Sequence, residues 1–144
     1  VDDYSQEEAP QESFTYEDTD IAFSPNMVGS GVIDFRPFPH LEISWMGKYV
    51  GGQYLDNSSR EDRKLDPYFI NDLRLGYTIQ PKWVEALEFT LLINNLFNYL
   101  YEPNGYTVSY FLPAESAGGR DLVTENYYYP MAGTNFLAGV KIIF

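Results

Sequence analysis

Few side chains in this sequence have the type and spacing to make or break bonds. The chain has one histidine, His40, set in the Pro-rich run Arg36-Pro37-Phe38-Pro39-His40. A single imidazole with no carboxylate pair beside it reads as a turn residue, not as a general base or metal ligand. Cysteine is absent, which excludes a disulfide framework and any thiolate metal site. Eight acids and no base occupy residues 1–20 (Asp2, Asp3, Glu7, Glu8, Glu12, Glu17, Asp18 and Asp20), without the spacing of a calcium loop. Ser116-Ala117-Gly118-Gly119-Arg120 is too polar and too isolated to cradle a phosphate. No Ser/His/Asp or Cys/His set can be assembled, so no catalytic residue, metal site or cofactor is expected.

What remains is aromatic. Tyr, Phe and Trp make up 17% of the chain, with 13 Tyr and 10 Phe against 2 Trp. Tyr99, Tyr101, Tyr106, Tyr110, Tyr127, Tyr128 and Tyr129 concentrate in one Gly- and Pro-containing excursion from about residue 97 to 133. A tyrosine offers apolar area and a hydroxyl, which suits a membrane-interface belt, loop packing or a ligand vestibule. Belt or packing is the simpler use; Tyr106, Tyr110, Tyr127 and Tyr129 are the candidate ligand contacts.

The elements that must position these residues are strands. Period-2 alternation sets apolar residues on one face and polar ones on the other. The expected strands are residues 27–36, with Ile33 and Phe35 opposite Asp34 and Arg36, and 41–49, with Leu41, Ile43, Trp45 and Tyr49 opposite Glu42, Ser44, Met46 and Lys48. Residues 68–79 set Leu73, Leu75, Tyr77 and Ile79 against Asp72, Arg74, Gly76 and Thr78. Residues 87–94 set Leu87, Phe89, Leu91 and Ile93 against Glu88, Thr90, Leu92 and Asn94. The closing strand, 134–144, carries Phe136, Val140, Ile142 and Phe144 on its apolar side. Residues 37–40 and 80–86 are short links, the second with room for one helical turn. Residues 50–67 and 97–133 are long ones, and 106–111 reads as a strand extension or a hairpin.

No run reaches the ~18 apolar residues of a membrane helix, and no signal peptide is visible. Strands of about nine to twelve residues, against the ~9–11 that a tilted span needs, alternating short and long connections, and one nearly pure apolar face fit staves of a transmembrane barrel. The opposite face carries Asp34, Glu42, Asp72 and Glu88 against Arg36, Lys48, Arg74 and Lys141, so its charges cancel. The net charge of -12 therefore lies outside the strands, mostly on the long-loop side. It also argues against nucleic acid as a partner. The expected fold is all-β: an antiparallel meander of about five strands of a larger transmembrane β-barrel, with long acidic external loops and short periplasmic turns. Residues 1–26 read as an acidic, mobile loop segment and 27–144 as carboxyl-terminal barrel strands and loops. The start at Val1 in an acidic stretch suggests a fragment or processed product.

Several stretches also resemble the carboxyl-terminal barrel region of TonB-dependent outer-membrane receptors. They are Lys48-Tyr49-Val50-Gly51-Gly52-Gln53-Tyr54-Leu55-Asp56-Asn57, Leu65-Asp66-Pro67-Tyr68-Phe69, Asn94-Asn95-Leu96-Phe97-Asn98, Tyr101-Glu102-Pro103-Asn104-Gly105-Tyr106, and Tyr129-Pro130 with Gly133 before the last strand. The Asn-Asn-Leu-Phe-Asn stretch is the most specific, and the likeness runs from about Phe23 to Phe144. It departs where Ile142 stands in place of a second aromatic, and where plug and TonB-contacting segment are absent.

The resemblance implies part of the wall of a 22-stranded, plugged barrel in the outer membrane of a Gram-negative bacterium. Such a receptor imports a scarce nutrient such as a siderophore or metal chelate. The implied partners are outer-membrane lipid, the rest of the barrel and its plug, and TonB only through the missing amino-terminal part. The barrel-assembly machinery would recognise the strand bearing Phe136, Val140, Ile142 and Phe144. The alternative is a soluble extracytoplasmic β-sheet binding module, such as a carbohydrate-binding one, with Trp45 and Trp83 as stacking platforms. On the receptor reading, deleting Phe144 from the full-length protein lowers its outer-membrane level, measured by fractionation; an unchanged level overturns that role.

Overall fold

The computed structural model describes residues 15–113 and 120–144. The acids at positions 2–12 and residues 116–119 of the Ser-Ala-Gly-Gly stretch lie outside the described residues. Among the described residues nine strands run in chain order: β1 (Val28–Phe38), β2 (Leu41–Val50), β3 (Gln53–Tyr54), β4 (Lys64–Leu65), β5 (Tyr68–Ile79), β6 (Ala86–Asn94), β7 (Asn104–Pro113), β8 (Arg120–Tyr129) and β9 (Asn135–Ile143). A short 3-10 turn, Glu61–Arg63, precedes β4. Among the described residues no helix is long and apolar enough to cross a membrane, which says nothing about strands.

The five long strands form one antiparallel sheet in the order β1-β2-β5-β6-β9, so each pairs with the next long strand in sequence. β1 and β9 are its two edges; the described sheet does not close on itself. β3–β4 and β7–β8 are separate hairpins inserted in the two long connections. Both insertions sit at one end of the sheet, and the β1–β2 and β5–β6 turns sit at the other. The long excursion is therefore a hairpin of its own rather than an extension of a strand of the main sheet.

Boundaries moved in informative places. β1 continues past the expected end at Arg36, through Pro37, to Phe38. The register shifts there, between Phe35↔Ile43 and Phe38↔Leu41. Proline has no N–H for the ladder, and an edge strand with a bulge tolerates it. Residues 80–85 are turns and bends without the helical turn for which their length left room.

The packed interior lies beside the sheet's long-loop end, not on either sheet face. Val50, Leu55, Leu65 and Tyr68 are buried there, with Leu65 only 2% exposed, while Val84 and Ala86 are buried at the opposite end. Residues 20–27 run along the β3–β4 loop. Asp20 N–H donates to Ser59 Oγ at 2.8 Å, Ala22 N–H to Asn57 Oδ1 at 2.7 Å, and Phe23 N–H to Tyr54 O at 2.9 Å.

The Asn-Asn-Leu-Phe-Asn stretch is the staple that closes the long excursion. Asn95 and Asn98 adopt left-handed backbone angles, φ 52° and 53°, which asparagine tolerates better than most residues. Asn95 Nδ2 donates to Tyr99 O (2.8 Å) and Ala132 O (3.3 Å), and its Oδ1 accepts from Tyr99 N–H at 2.9 Å. Thr134 Oγ1 donates to Asn95 O at 2.7 Å, and Asn98 Oδ1 accepts from Thr134 N–H at 3.1 Å. A Cβ at Gly133 would push Asn98 Oδ1 aside and with it the bond to Thr134 N–H. With three side-chain bonds lost and a left-handed β-carbon retained, Asn95→Ala is expected to cost about 2–4 kcal/mol. Limited proteolysis should then show faster cleavage within residues 99–133. Asn95→Gly relieves the backbone strain alone and should sit between the two.

Candidate functional site

Cross-strand neighbours share a face, so the register assigns each side chain of the sheet to one side. Apart from Asn71, the partner of Gly47, one face is apolar across all five strands: Ile33, Trp45, Leu73, Ile93 and Phe136 form one row, and Phe35, Ile43, Leu75, Leu91 and Ala138 the next. Leu41, Tyr77, Phe89 and Val140 follow, then Ile79, Leu87 and Ile142. Gly47 lies in this face where a Cβ would be 3.2 Å from the Phe69 ring and 3.3 Å from the Trp45 ring. Any larger residue there would require the two rings to give by a few tenths of an ångström. Tyr49 and Phe69 pair at the long-loop end, while Trp83 stands exposed in the opposite turn.

The other face is a charge lattice. Glu42 accepts from Arg36 Nη2 at 2.8 Å and from Arg74 Nη1 at 2.9 Å, so one carboxylate joins three strands. Glu88 accepts from Lys141 Nζ at 3.2 Å, bridging β6 and β9. Ser44 Oγ donates to Asp34 at 2.5 Å, Asn95 N–H to Asp72 at 2.8 Å, and Asn94 Nδ2 to Asn135 Oδ1 at 2.8 Å. Exposed pairs of this kind contribute little each, ~0–1 kcal/mol. Their weight here is in register: a one-residue slip would carry these charges to the apolar face.

The predicted residues of the closing strand all lie on β9 or just beyond it. Phe136 pairs with Ile93, Val140 with Phe89, and Ile142 with Leu87, and Phe144 follows, 89% exposed. Their outer edge has no neighbouring strand among the described residues. The two tryptophans of the soluble reading are not brought together. Trp45 sits in the Leu73 row and Trp83 lies beyond Ile79, about 20 Å farther along at ~3.3 Å per residue.

The four tyrosine candidates do meet. In the β7–β8 hairpin Tyr106 pairs with Tyr127, Asn104 with Tyr129, Val108 with Glu125, and Tyr110 with Val123, all on one face. The Tyr106 and Tyr127 rings stack at 4.8 Å between centroids with 12° between planes, and Tyr129 tilts against Tyr106 at 6.1 Å. Tyr110 Oη donates to Glu125 Oε1 at 2.8 Å and Tyr127 Oη to Glu125 Oε2 at 2.5 Å. All four rings are exposed, from 38% for Tyr110 to 55% for Tyr129. Hydrogen bonds from Tyr127 and then Tyr110 hold the Glu125 carboxyl below its ordinary range. The same bonds raise both phenols.

The hairpin's opposite face is pinned by Arg63, which sequence reasoning missed. Its side chain is 7% exposed and meets Asp56 Oδ2 at 2.5 Å. Arg63 Nη2 donates to Ser109 Oγ at 3.1 Å and Thr124 Oγ1 at 2.9 Å, a cross-strand pair on β7 and β8. Asn126 Nδ2 donates to Asp62 O at 2.5 Å. Arginine suits this task because its planar fork can bridge several acceptors at once. In sequence Arg63 stands amid Arg60, Glu61, Asp62 and Lys64 and looks like one more loop charge. Glu125 was equally silent, since nothing local says that two phenols converge on it.

Among the described residues no group of His, Cys, Asp or Glu could hold a metal ion. Scans against protein-family models, curated proteins and solved structures each returned no match.

Replacing Arg63 by Met leaves Asp56 without its cation and two hydroxyls without their donor, a loss of about 3–5 kcal/mol. Hydrogen exchange should report it as faster exchange of the β7–β8 amides, with the five-stranded sheet unchanged. Burial raises the Asp56 carboxyl, but hydrogen bonds from Ser58 and Arg63 outweigh it and leave the group below its ordinary value. A depressed carboxyl stabilises above its unfolded pKa, so this contribution holds above about pH 4 and fades as pH falls through the folded value. The same amides should therefore lose protection first on acidification.

Proposed function

We propose that the chain forms part of the wall of a transmembrane β-barrel, in a TonB-dependent receptor that imports a scarce nutrient such as a siderophore or metal chelate across an outer membrane. The observation that carries the wall is the five-stranded meander with one uncovered apolar face and one charge-paired face. A soluble domain covers such a face with a second layer. Here Ile33, Phe35, Phe136 and Val140 are each about 60% exposed or more. Lipid is a suitable neighbour for that face, and a water-filled or plugged interior for the charged one.

The dimensions support the same reading. From Phe69 to Ile79 the apolar face of β5 extends about 33 Å at ~3.3 Å per residue. At a tilt of ~40° this covers about 25 Å of membrane, the height of the apolar band of outer-membrane barrels. Aromatic residues at the ends of that band fit the interfacial girdles. Short turns at one end and inserted hairpins at the other match periplasmic and external sides. The open edges β1 and β9 would pair with the remaining strands, since backbone groups cannot stay unpaired in lipid. The import role rests on the family resemblance of the Asn-Asn-Leu-Phe-Asn and Tyr-Glu-Pro-Asn-Gly-Tyr stretches. On it, Tyr106, Tyr110, Tyr127 and Tyr129 face the external side as ligand contacts, and the β9 strand with Phe144 addresses the assembly machinery.

Adjacent positions on β6 test the wall. Leu91→Arg places a cation on the apolar face near mid-span and is expected to cost about 2–4 kcal/mol of membrane stability. Leu92→Arg, on the charged face, should cost far less. Urea unfolding of the full-length barrel in phospholipid bilayers, followed by gel mobility, separates the two. Equal effects, or a chain that is folded and monodisperse without detergent, would overturn the wall and favour the soluble module.

A further inference from the structure

The tyrosine face of the β7–β8 hairpin has a composition that points to one class of ligand. Its centre is the Glu125 carboxylate, held by two phenol hydroxyls. Each oxygen accepts one hydrogen bond and keeps a further lone pair. Among the Lys and Arg side chains that the structure describes, none forms an ion pair with Glu125; Arg63 works on the opposite face of the hairpin. Beside the carboxylate stand Tyr106 and Tyr127, stacked on each other, with Tyr129 against them. Ring faces carry negative potential and attract a desolvated cation.

Hairpin stabilisation alone would account for Tyr106 opposite Tyr127, since aromatic cross-strand pairs help any ribbon. It does not require a carboxylate bracketed by phenols and free of a counter-cation. A phosphate, a carboxylate or a sulfonate would be repelled here, and a neutral sugar would leave the charge unanswered. An ammonium group with an apolar flank answers both the rings and the charge.

We propose that the Tyr106, Tyr127, Tyr129 and Glu125 face binds a small organic cation, a substituted ammonium group carrying an aryl or alkyl flank. The ammonium group lies beside the Glu125 carboxylate and its flank covers the tyrosine rings. The inference rests on the wall reading only in placing this face on the external side of the membrane, where a solute would meet it.

The test uses the full chain in detergent micelles, with tyrosine ring resonances observed by NMR. Benzyltrimethylammonium, benzyl alcohol and benzoate serve as cationic, neutral and anionic probes of similar size. The cation should bind at least about ten-fold more tightly than the alcohol, with benzoate weakest. Its shifts should map to Tyr106, Tyr127 and Tyr129. Glu125→Gln should remove most of that ten-fold preference.

Tyr106→Phe keeps the ring and should keep binding, whereas Tyr106→Leu should lose it. Backbone amide shifts of β7 and β8 establish that each variant retains the hairpin. If Glu125→Gln does not fold, the Tyr106 pair alone decides. Equal binding of the three probes, no binding of the cation to the folded chain, or equal affinity of Tyr106→Phe and Tyr106→Leu overturns the proposal. These outcomes are distinct from failure of the wall reading, which shows as a chain folded and monodisperse without detergent, whatever the probes do.

Discussion

The pairing of β1, β2, β5, β6 and β9 satisfies the inner backbone hydrogen bonds of a sheet that is a single layer. With those bonds made, the sheet divides space: apolar rows point to one side, and paired charges to the other. Among the described residues no second layer covers the apolar side. The buried apolar residues cluster at the two ends of the sheet, although burial of apolar area is the main favourable term in folding. Register is strongly specified, since a single-residue slip moves Glu42, Arg74 and Glu88 onto the apolar side.

The inserted hairpins obey a different logic. They lie at one end of the sheet and pack on each other, with Leu55 and Leu65 as a small apolar centre and Arg63 as the polar one. Burying a guanidinium is costly unless its fork is well filled. Asp56, Ser109 and Thr124 fill most of it, though Nε keeps no protein partner. What this arrangement returns is orientation. Pinning one face of β7–β8 to the β3–β4 loop commits the other face, with its four tyrosines and Glu125, to solvent.

Between sheet and hairpin stands the Asn95–Asn98 turn. Its two left-handed asparagines reverse the chain at the head of β6 and tie it to Ala132 and Thr134 at the foot of β9. The excursion can therefore be long without loosening the β6–β9 pair. Here the motif most specific to the family resemblance has a plain mechanical role, holding a loop's two ends together. The separation of labour is clear: the long strands form a sheet with one apolar and one charged face, the turn joins, and the hairpin presents side chains.

Period-2 alternation by itself determined the five long strands, their order as a meander, and which side chains share a face, because each strand carries its own apolar and polar sets locally. Alternation of connection lengths determined the two ends. Boundaries were less legible: Pro37 looked like a terminator, yet an unpaired edge let β1 run on to Phe38. Only the tertiary structure decided what the loops do. Arg63 looked like its charged neighbours until Ser109 and Thr124, far along the chain, met its fork. The tyrosines were countable in sequence, but their convergence with Glu125 depends on the Tyr106↔Tyr127 register of a hairpin whose start and partner no local pattern marks. Contacts set by period are written in each segment, whereas contacts set by loop closure exist only once distant residues have been brought together.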